Sequence, residues 1–444
     1  MPLVVCAVLA LPAIAVGIRN FEQDDGASRV YRGEPSPQVE LRQVDGGPNY
    51  NADQGMPAGK DFFPIAAWFR PAQDADQLAM YKDFGLNMLV GVENPESANE
   101  QAIRAAGIKT VIQAEERTRF NDLGSEVAGW LLGDEQDMEF GPGDDTWNAG
   151  ASWPNNCTGR HGENQDHGAR CGFTAMDAQN ASLPKDGRAR WNNFGKGVLW
   201  WATDAQAARF TNLSQLDIVS GDTYWMTDPN ESSNPRYGLP SSYGWNVDRM
   251  RSLDGRDGRR KAIWNLVETG WPYTQTAAQG ARRILPAEAR AAVWHSIIAG
   301  ARGIEYFDHN FNGPCAGSTI LGTCYADTRT ILKDTNLLIA KLAPVLNGPT
   351  VVNAVTGGPV RTLTKWDGRH FYVFAGATGT RSASGTWTLS CVGDATAVKL
   401  GDFVGARTLP VVNGRFSDSF AGKHTVHIYR IDGGSTCGLE SGAA

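Results

Sequence analysis

From residue 61 onward, short apolar runs alternate with amphipathic stretches of helical period. Apolar runs separated by helices are the pattern of βα units, because crossover helices cover both faces of the parallel sheet they connect. The runs predict strands over 62–68, 86–92, 108–113, 127–132, 190–194, 216–221, 261–267 and 303–307. Eight such strands suggest closure into a barrel. Helix starts are marked too: Asp74 with Gln77, and Ser97 with Glu100, have capping-box spacing, and Gly107 stops the second helix. A long helix is expected from Pro286 through Arg302, with Val293, Ile297 and Ala301 on one side and His295 within it as a structural residue.

After about residue 345 the pattern changes to short alternating strands with two-residue hairpin signals at Asp367-Gly368 and Asn413-Gly414 and a last strand over 425–431. This predicts the fold class: an α/β chain made of a (β/α)8 TIM barrel over 60–345, then a small all-β sandwich domain over 346–444. Residues 18–59 are polar and rich in Gly, Pro and Asp, and are expected to form an extended arm packed on the body of the protein. A Gly/Asn/Asp-rich insertion over about 136–185 is too long for a mere connector. Residues 1–17 are apolar but too short to span a membrane comfortably, and Ala13-Ile14-Ala15 resembles a signal-peptidase site. The leader is expected to be an export signal or an uncleaved anchor, giving a secreted or cell-surface protein that meets a membrane only if the leader stays attached.

Composition narrows the function. The 444 residues are 41% hydrophobic and 20% charged, enough for a large core. Lys plus Arg total 41 against 48 Asp plus Glu, with no sizeable basic block, which argues against a nucleic-acid partner. No Gly-x-Ser-x-Gly elbow, phosphate-binding Gly-x4-Gly-Lys-Ser/Thr or His-Glu-x-x-His occurs, so esterase, nucleotide and zincin chemistries lose ground. No cofactor is expected. Six cysteines outside the leader suit an oxidising compartment, and proximity suggests Cys157 with Cys171, Cys315 with Cys324, and Cys391 with Cys437. The first pair has an alternative, because Cys157, His161, His167 and Cys171 could instead hold a structural zinc; the disulfide is preferred and no metal is assigned. Sequons at Asn156, Asn180, Asn212 and Asn230 matter only if the host glycosylates exported proteins.

In a closed barrel the active site lies at the carboxyl ends of the strands, so a polar residue just after a buried strand is a functional candidate. Glu135 follows the fourth strand and Glu268 the seventh. Glycoside cleavage needs two carboxyl groups flanking one bond, one to protonate the leaving oxygen and one to attack or to activate water. A separation of about 5–5.5 Å implies retention, and about 6.5–9.5 Å inversion. Glu93, Asn94, Gln113, Asn193, Asp308 and His309 lie at or near strand ends, where they could hydrogen-bond sugar hydroxyls, and Trp68, Trp225 and Trp271 could stack on pyranose faces.

With these residues in view, the chain over roughly 62–345 resembles the retaining glycoside hydrolases of the (β/α)8 superfamily called clan A, whose members often carry a C-terminal β sandwich. The resemblance implies that Glu135 is the acid/base and Glu268 the nucleophile. It also implies that Tyr224, just past strand six, hydrogen-bonds the nucleophile. Many members have Asn directly before the acid/base; here Asp134 stands there, which puts the usual amide contact to the sugar 2-hydroxyl in doubt. The expected function is an exported retaining glycosidase of poly- or oligosaccharides, acting as a monomer with no nucleotide or nucleic-acid partner. The competing expectation is a non-catalytic carbohydrate-binding or cell-surface barrel.

Overall fold

A computed structural model describes residues 29–31, 39–139 and 172–433, apart from 48–49, 51, 73, 94–96, 115, 117–122, 212–215, 255–259, 353, 358–359, 391 and 401–406. The leader, Asn94, the Cys157/His161/His167/Cys171 group, Cys391 and Cys437 lie outside the described residues. The Cys315–Cys324 disulfide is present, with its Cα atoms 5.8 Å apart.

Strands β1 (Arg29–Tyr31) and β2 (Val39–Arg42) precede the barrel. The barrel itself is β3 (Ile65–Pro71), β4 (Met88–Glu93), β5 (Lys109–Gln113), β6 (Val127–Asp134), β7 (Ala189–Phe194), β8 (Ile218–Gly221), β9 (Ala262–Glu268) and β10 (Gly303–Phe307). All pairings are parallel and β10 closes on β3, so the strands form a barrel with no edge. Each corresponds to one apolar run of the sequence. Between the strands run helices α1 (Ala75–Asp83), α2 (Ser97–Ala106), α3 (Gln136–Glu139), α4 (Gly172–Ser182), α5 (Asp204–Thr211), α6 (Ser241–Leu253) and α7 (Pro286–Ile298); α8 (Ala326–Leu346) follows β10. Asp74 caps α1 by accepting from the Gln77 amide at 2.7 Å.

Helix α7 stops at Ile298, not at Arg302. Gly300 takes φ +95°, its amide bonds to Ile297 and the Ala301 amide reaches back to Ser296, a left-handed cap that the glycine permits. The four residues after the helix thus become the turn into β10.

The interior of the barrel is filled by Trp68, Trp191 and Trp264, with ring centroids 6.3 Å apart for the first pair and 4.9 Å for the second, above smaller residues such as Ala66, Ala128 and Ala189. Beyond α8, strands β11 (Thr350–Val352) to β19 (Val426–Asp432) form two antiparallel sheets packed around Trp387, Phe416 and Tyr429. β13 (Arg361–Trp366) and β14 (Phe371–Gly376) flank Asp367-Gly368, and β17 (Thr408–Val411) and β18 (Arg415–Phe420) flank Asn413-Gly414, as their turn chemistry implies. The segment read as an extended arm supplies β1 and β2; β1 pairs with β2, and β2 with β11, at the edge of the eight-stranded sheet. Trp294 of α7 stacks on Phe374 of β14, joining the sandwich to the barrel, and His295 is fully buried beside Gly376 at the same seam.

Candidate active site

β9 is an apolar strand buried along its whole length, and it ends in Glu268, which has no exposed surface. A lone buried carboxylate is costly, so its lone pairs must be met. Tyr243 of α6 donates its hydroxyl to Oε2 at 2.5 Å and Thr227 donates to Oε1 at 2.9 Å. Burial pushes Glu268 up to about 7, a rise restrained by the Tyr243 and Thr227 hydrogen bonds and by the Arg282 charge. The resemblance gives the contact to this carboxylate to Tyr224; its hydroxyl has no hydrogen-bond partner among the described residues, and Tyr243 and Thr227 do that work instead. The correction has a simple cause. Tyr243 lies on a helix, where strand-end reasoning does not look.

β6 ends in Asp134, and the chain turns sharply at Glu135, whose φ of +49° is rare for a residue with a side chain. The turn is held by Glu135 N–H donating to the Asn193 carbonyl at 3.1 Å and by Met138 N–H donating to the Glu135 carbonyl at 2.7 Å. Gly195 makes room for the side chain, since a Cβ there would collide with Glu135 Oε1. Burial, then the charges of Asp222 and Asp134, push Glu135 well above the usual carboxylate range, and it hydrogen-bonds Asp222, which burial and Asp134 also raise. Two such carboxyl groups in contact titrate as a pair, and burial favours the protonated form of that pair.

Asn193 organises this group. Its amide nitrogen donates to Asp134 Oδ1 at 2.9 Å and to Asp222 Oδ2 at 3.3 Å, while its oxygen accepts from Ser220, which accepts in turn from the Trp191 indole. Asp137 lies behind, accepting from the amides of Gly195 and Val198; burial still pushes it up to about 7.

Tyr224 and Tyr273 complete the wall, with ring centroids 6.2 Å apart. The Tyr224 hydroxyl feels the charges of Asp222, Glu135 and Glu268 together, so the two predicted glutamates converge on one place at the barrel mouth. On the far side Arg70 pairs with Asp308 at 3.3 Å, and His309 contacts the Trp68 carbonyl and stacks with the exposed Phe311. Trp68 is nearly buried as part of the interior stack, and Gln113 is half-buried at the end of β5. Trp271 is half-buried against Gly313, with its indole donating to the Gln275 carbonyl. Glu93 ends β4.

Trp225 is a second correction. It is completely buried and its indole donates to Asn246 of α6 at 2.8 Å, so it belongs to the packing behind the strands and offers no face to a sugar. Strand-end reasoning also misses Arg70, Asp222, Thr227, Tyr243, Tyr273 and Glu305. Glu305 is fully buried in β10 and neither carboxyl oxygen has a hydrogen-bond partner among the described residues; its position as the one charged residue in the run Gly-Ile-Glu-Tyr-Phe is a readable signal.

Comparison with solved structures places this geometry in a known architecture. A glycoside hydrolase family 5 protein from Bacteroides vulgatus superposes with TM-score 0.50 at 12% identity, over 86% of this chain and 91% of that one. A family 51 alpha-L-arabinofuranosidase from Bifidobacterium longum gives TM-score 0.43 at 11% identity, over 91% and 99% of the two chains. A maltogenic alpha-amylase from Thermotoga neapolitana gives 0.47 at 8%, over 84% and 99%. No protein-family model and no curated protein matches the sequence. The barrel followed by antiparallel β sheets is thus the fold of the family 5 protein, in line with the resemblance read from the sequence.

Proposed function

We propose that this protein is a glycoside hydrolase that cleaves poly- or oligosaccharides with retention of anomeric configuration. One observation carries the reading: Glu135, a buried carboxyl crowded by Asp222 and Asp134, shares the barrel mouth with Glu268, a carboxyl oriented by two hydroxyl donors. Environments that differ in this way divide acid from nucleophile.

In the first step Glu135 gives its proton to the glycosidic oxygen as that bond breaks, and a Glu268 carboxylate oxygen forms a bond to the anomeric carbon. In the second, Glu135 takes a proton from water, whose oxygen attacks the anomeric carbon and releases Glu268. Tyr243 and Thr227 orient the two oxygens of Glu268, and Asp222 holds Glu135 in place; the proton that Glu135 takes from water restores its acid form. Asn193 has both ends of its amide engaged by protein, so its role is to position Asp134 and Asp222 rather than to read sugar hydroxyls. Phe311, His309 and Trp271 supply the apolar surface nearest the mouth. The Cys315–Cys324 disulfide supports export, and the leader is its signal.

Turnover on a glycan panel tests the assignment. Glu135→Gln should lower kcat by about 10²–10⁴-fold. On a substrate with a good leaving group, the same variant should accumulate a glycosyl adduct on Glu268, detectable by mass spectrometry, because the second step then lacks its base. Glu268→Gln should form no adduct. NMR of the first-formed anomer separates retention from inversion. Failure of the wild type on every glycan would favour the binding-protein reading.

A further inference from the structure

The amino ends of the strands carry a second polar cavity, of about 290 Å³, enclosed between the barrel and the eight-stranded sheet. Arg302 immediately precedes β10, so this cavity and the catalytic mouth lie at opposite ends of the strands, about 20 Å apart at the rise of an extended chain. Five cationic side chains line it: Arg42 of β2, Arg361 and Lys365 of β13, Arg251 of α6, and Arg302. The sheet aims them there by alternation. Leu41 and Trp366 enter the sandwich core, so their neighbours Arg42 and Lys365 turn to the barrel.

Carboxylates pair with two of the five, Arg251 and Arg361. Asp45 is shared by Arg251 at 2.7 Å and Arg260 at 3.7 Å. Asp248 takes both arms of Arg361. Arg302 is 2% exposed, its terminal nitrogens donate to the Asp45 and Gly47 carbonyls and the Asn347 side chain, its guanidinium lies over the Tyr50 ring at 4.7 Å, and its Nε has no hydrogen-bond partner among the described residues. Lys365 is 4% exposed, and its ammonium has three donors but one acceptor, the Gly348 carbonyl at 2.8 Å. Among the described residues neither has a carboxylate partner. Burial and the charges of Arg302, Arg42 and Arg251 push Lys365 well below its ordinary range, against the opposing charge of Asp45. Elsewhere the same fold buries a lysine with its counter-ion, Lys261 with Asp254 at 3.2 Å.

We propose that this cavity is a binding site for a small tetrahedral oxyanion, phosphate or sulfate, held by Arg302 and Lys365 and clamping the barrel to the β sheet. Two buried cations without carboxylates call for a dianion, and guanidinium and ammonium groups together are the usual cradle for one. The volume holds such an ion with a few waters, at about 30 Å³ per water, and lies at the lower end of pockets built for larger molecules.

The test is thermal unfolding and titration calorimetry of the full-length protein at pH 7.5, with phosphate or sulfate exchanged for chloride at constant ionic strength. Saturable one-to-one binding is expected, with Tm rising by about 3 °C at a hundredfold excess over Kd. Glucose 6-phosphate, run in parallel, should give the same shift only if the pocket accepts a phosphomonoester; inorganic phosphate alone acting identifies a free-ion site. Lys365→Met should raise Tm in chloride and abolish the phosphate response. Arg42→Gln, at a half-buried position, should weaken phosphate binding about tenfold, the effect of one charge-assisted hydrogen bond. Equal shifts with phosphate and chloride, or an unchanged phosphate affinity in both variants, would overturn the proposal; if Lys365→Met does not fold, unchanged affinity in Arg42→Gln suffices.

Discussion

At the carboxyl ends of the barrel strands Glu135, Asp222, Glu268 and Glu305 gather with Arg70 tied to Asp308, whereas at the amino ends Arg42, Arg302 and Lys365 gather around an Asp45 already shared by two arginines. Both ends concentrate charge of one sign, but the remedies differ. A crowded carboxylate can take up a proton near neutrality, which makes an acid catalyst of it. A crowded guanidinium cannot give one up, so it needs an anion from outside. On the readings proposed above, the same imbalance supports acid chemistry at one end and an anion ligand at the other. Between these extremes Lys261 and Asp254 show buried charge in balance.

Four measurements sharpen the contrast. Breaking the balanced pair with Asp254→Ala should cost about 3–5 kcal/mol in urea unfolding, because the buried Lys261 loses its Asp254 counter-ion; a loss no larger than a surface substitution would mean that burial of charge is cheap here and remove the ground for treating Lys365 as unsatisfied. Gly195→Ala should come next. Its Cβ meets Glu135 Oε1, and a displaced acid should lower kcat about 100-fold with the circular dichroism unchanged.

Tyr243→Phe should act through pH. Its hydroxyl holds Glu268 down, so without it the carboxyl protonates at higher pH and the acid limb of the kcat profile should move up by about one unit. Activity should then fall about tenfold at pH 6 and little at pH 8; a uniform loss at both would point to packing instead. The smallest effect is on stability. Glu268 and Asp137 titrate at about 7 when folded, and near 4 in the unfolded chain. The folded state binds the extra protons, so their contribution is complete below about pH 4 and fades as pH rises through 7. Tm should be a few degrees higher at pH 5.5 than at pH 8.0, from about 2 kcal/mol per carboxyl, and Glu268→Gln should flatten that slope.

All eight barrel strands and both hairpin turns were legible, because burial on two faces and left-handed turn residues leave local marks in composition. Glu135 and Glu268 were legible for the same reason: each ends an apolar run. Tyr243, Thr227 and Arg70 were not, since nothing along the chain distinguishes a helix tyrosine that reaches a carboxylate from one that packs. Trp225 was misread because a tryptophan after a strand looks the same whether its indole turns to the mouth or to α6.

Local patterning thus dictated the elements, their order and the two acids at strand ends, as period and turn chemistry act between neighbours a few residues apart. The partners of those acids, the left-handed turn that aims Glu135, the joining of β1 and β2 to a sheet more than 300 residues away, and the meeting of Arg42, Arg302 and Lys365 came from closure and packing. Burial and electrostatic coupling depend on distance in space, and distance in space is set only when the barrel shuts and the sheet docks on it.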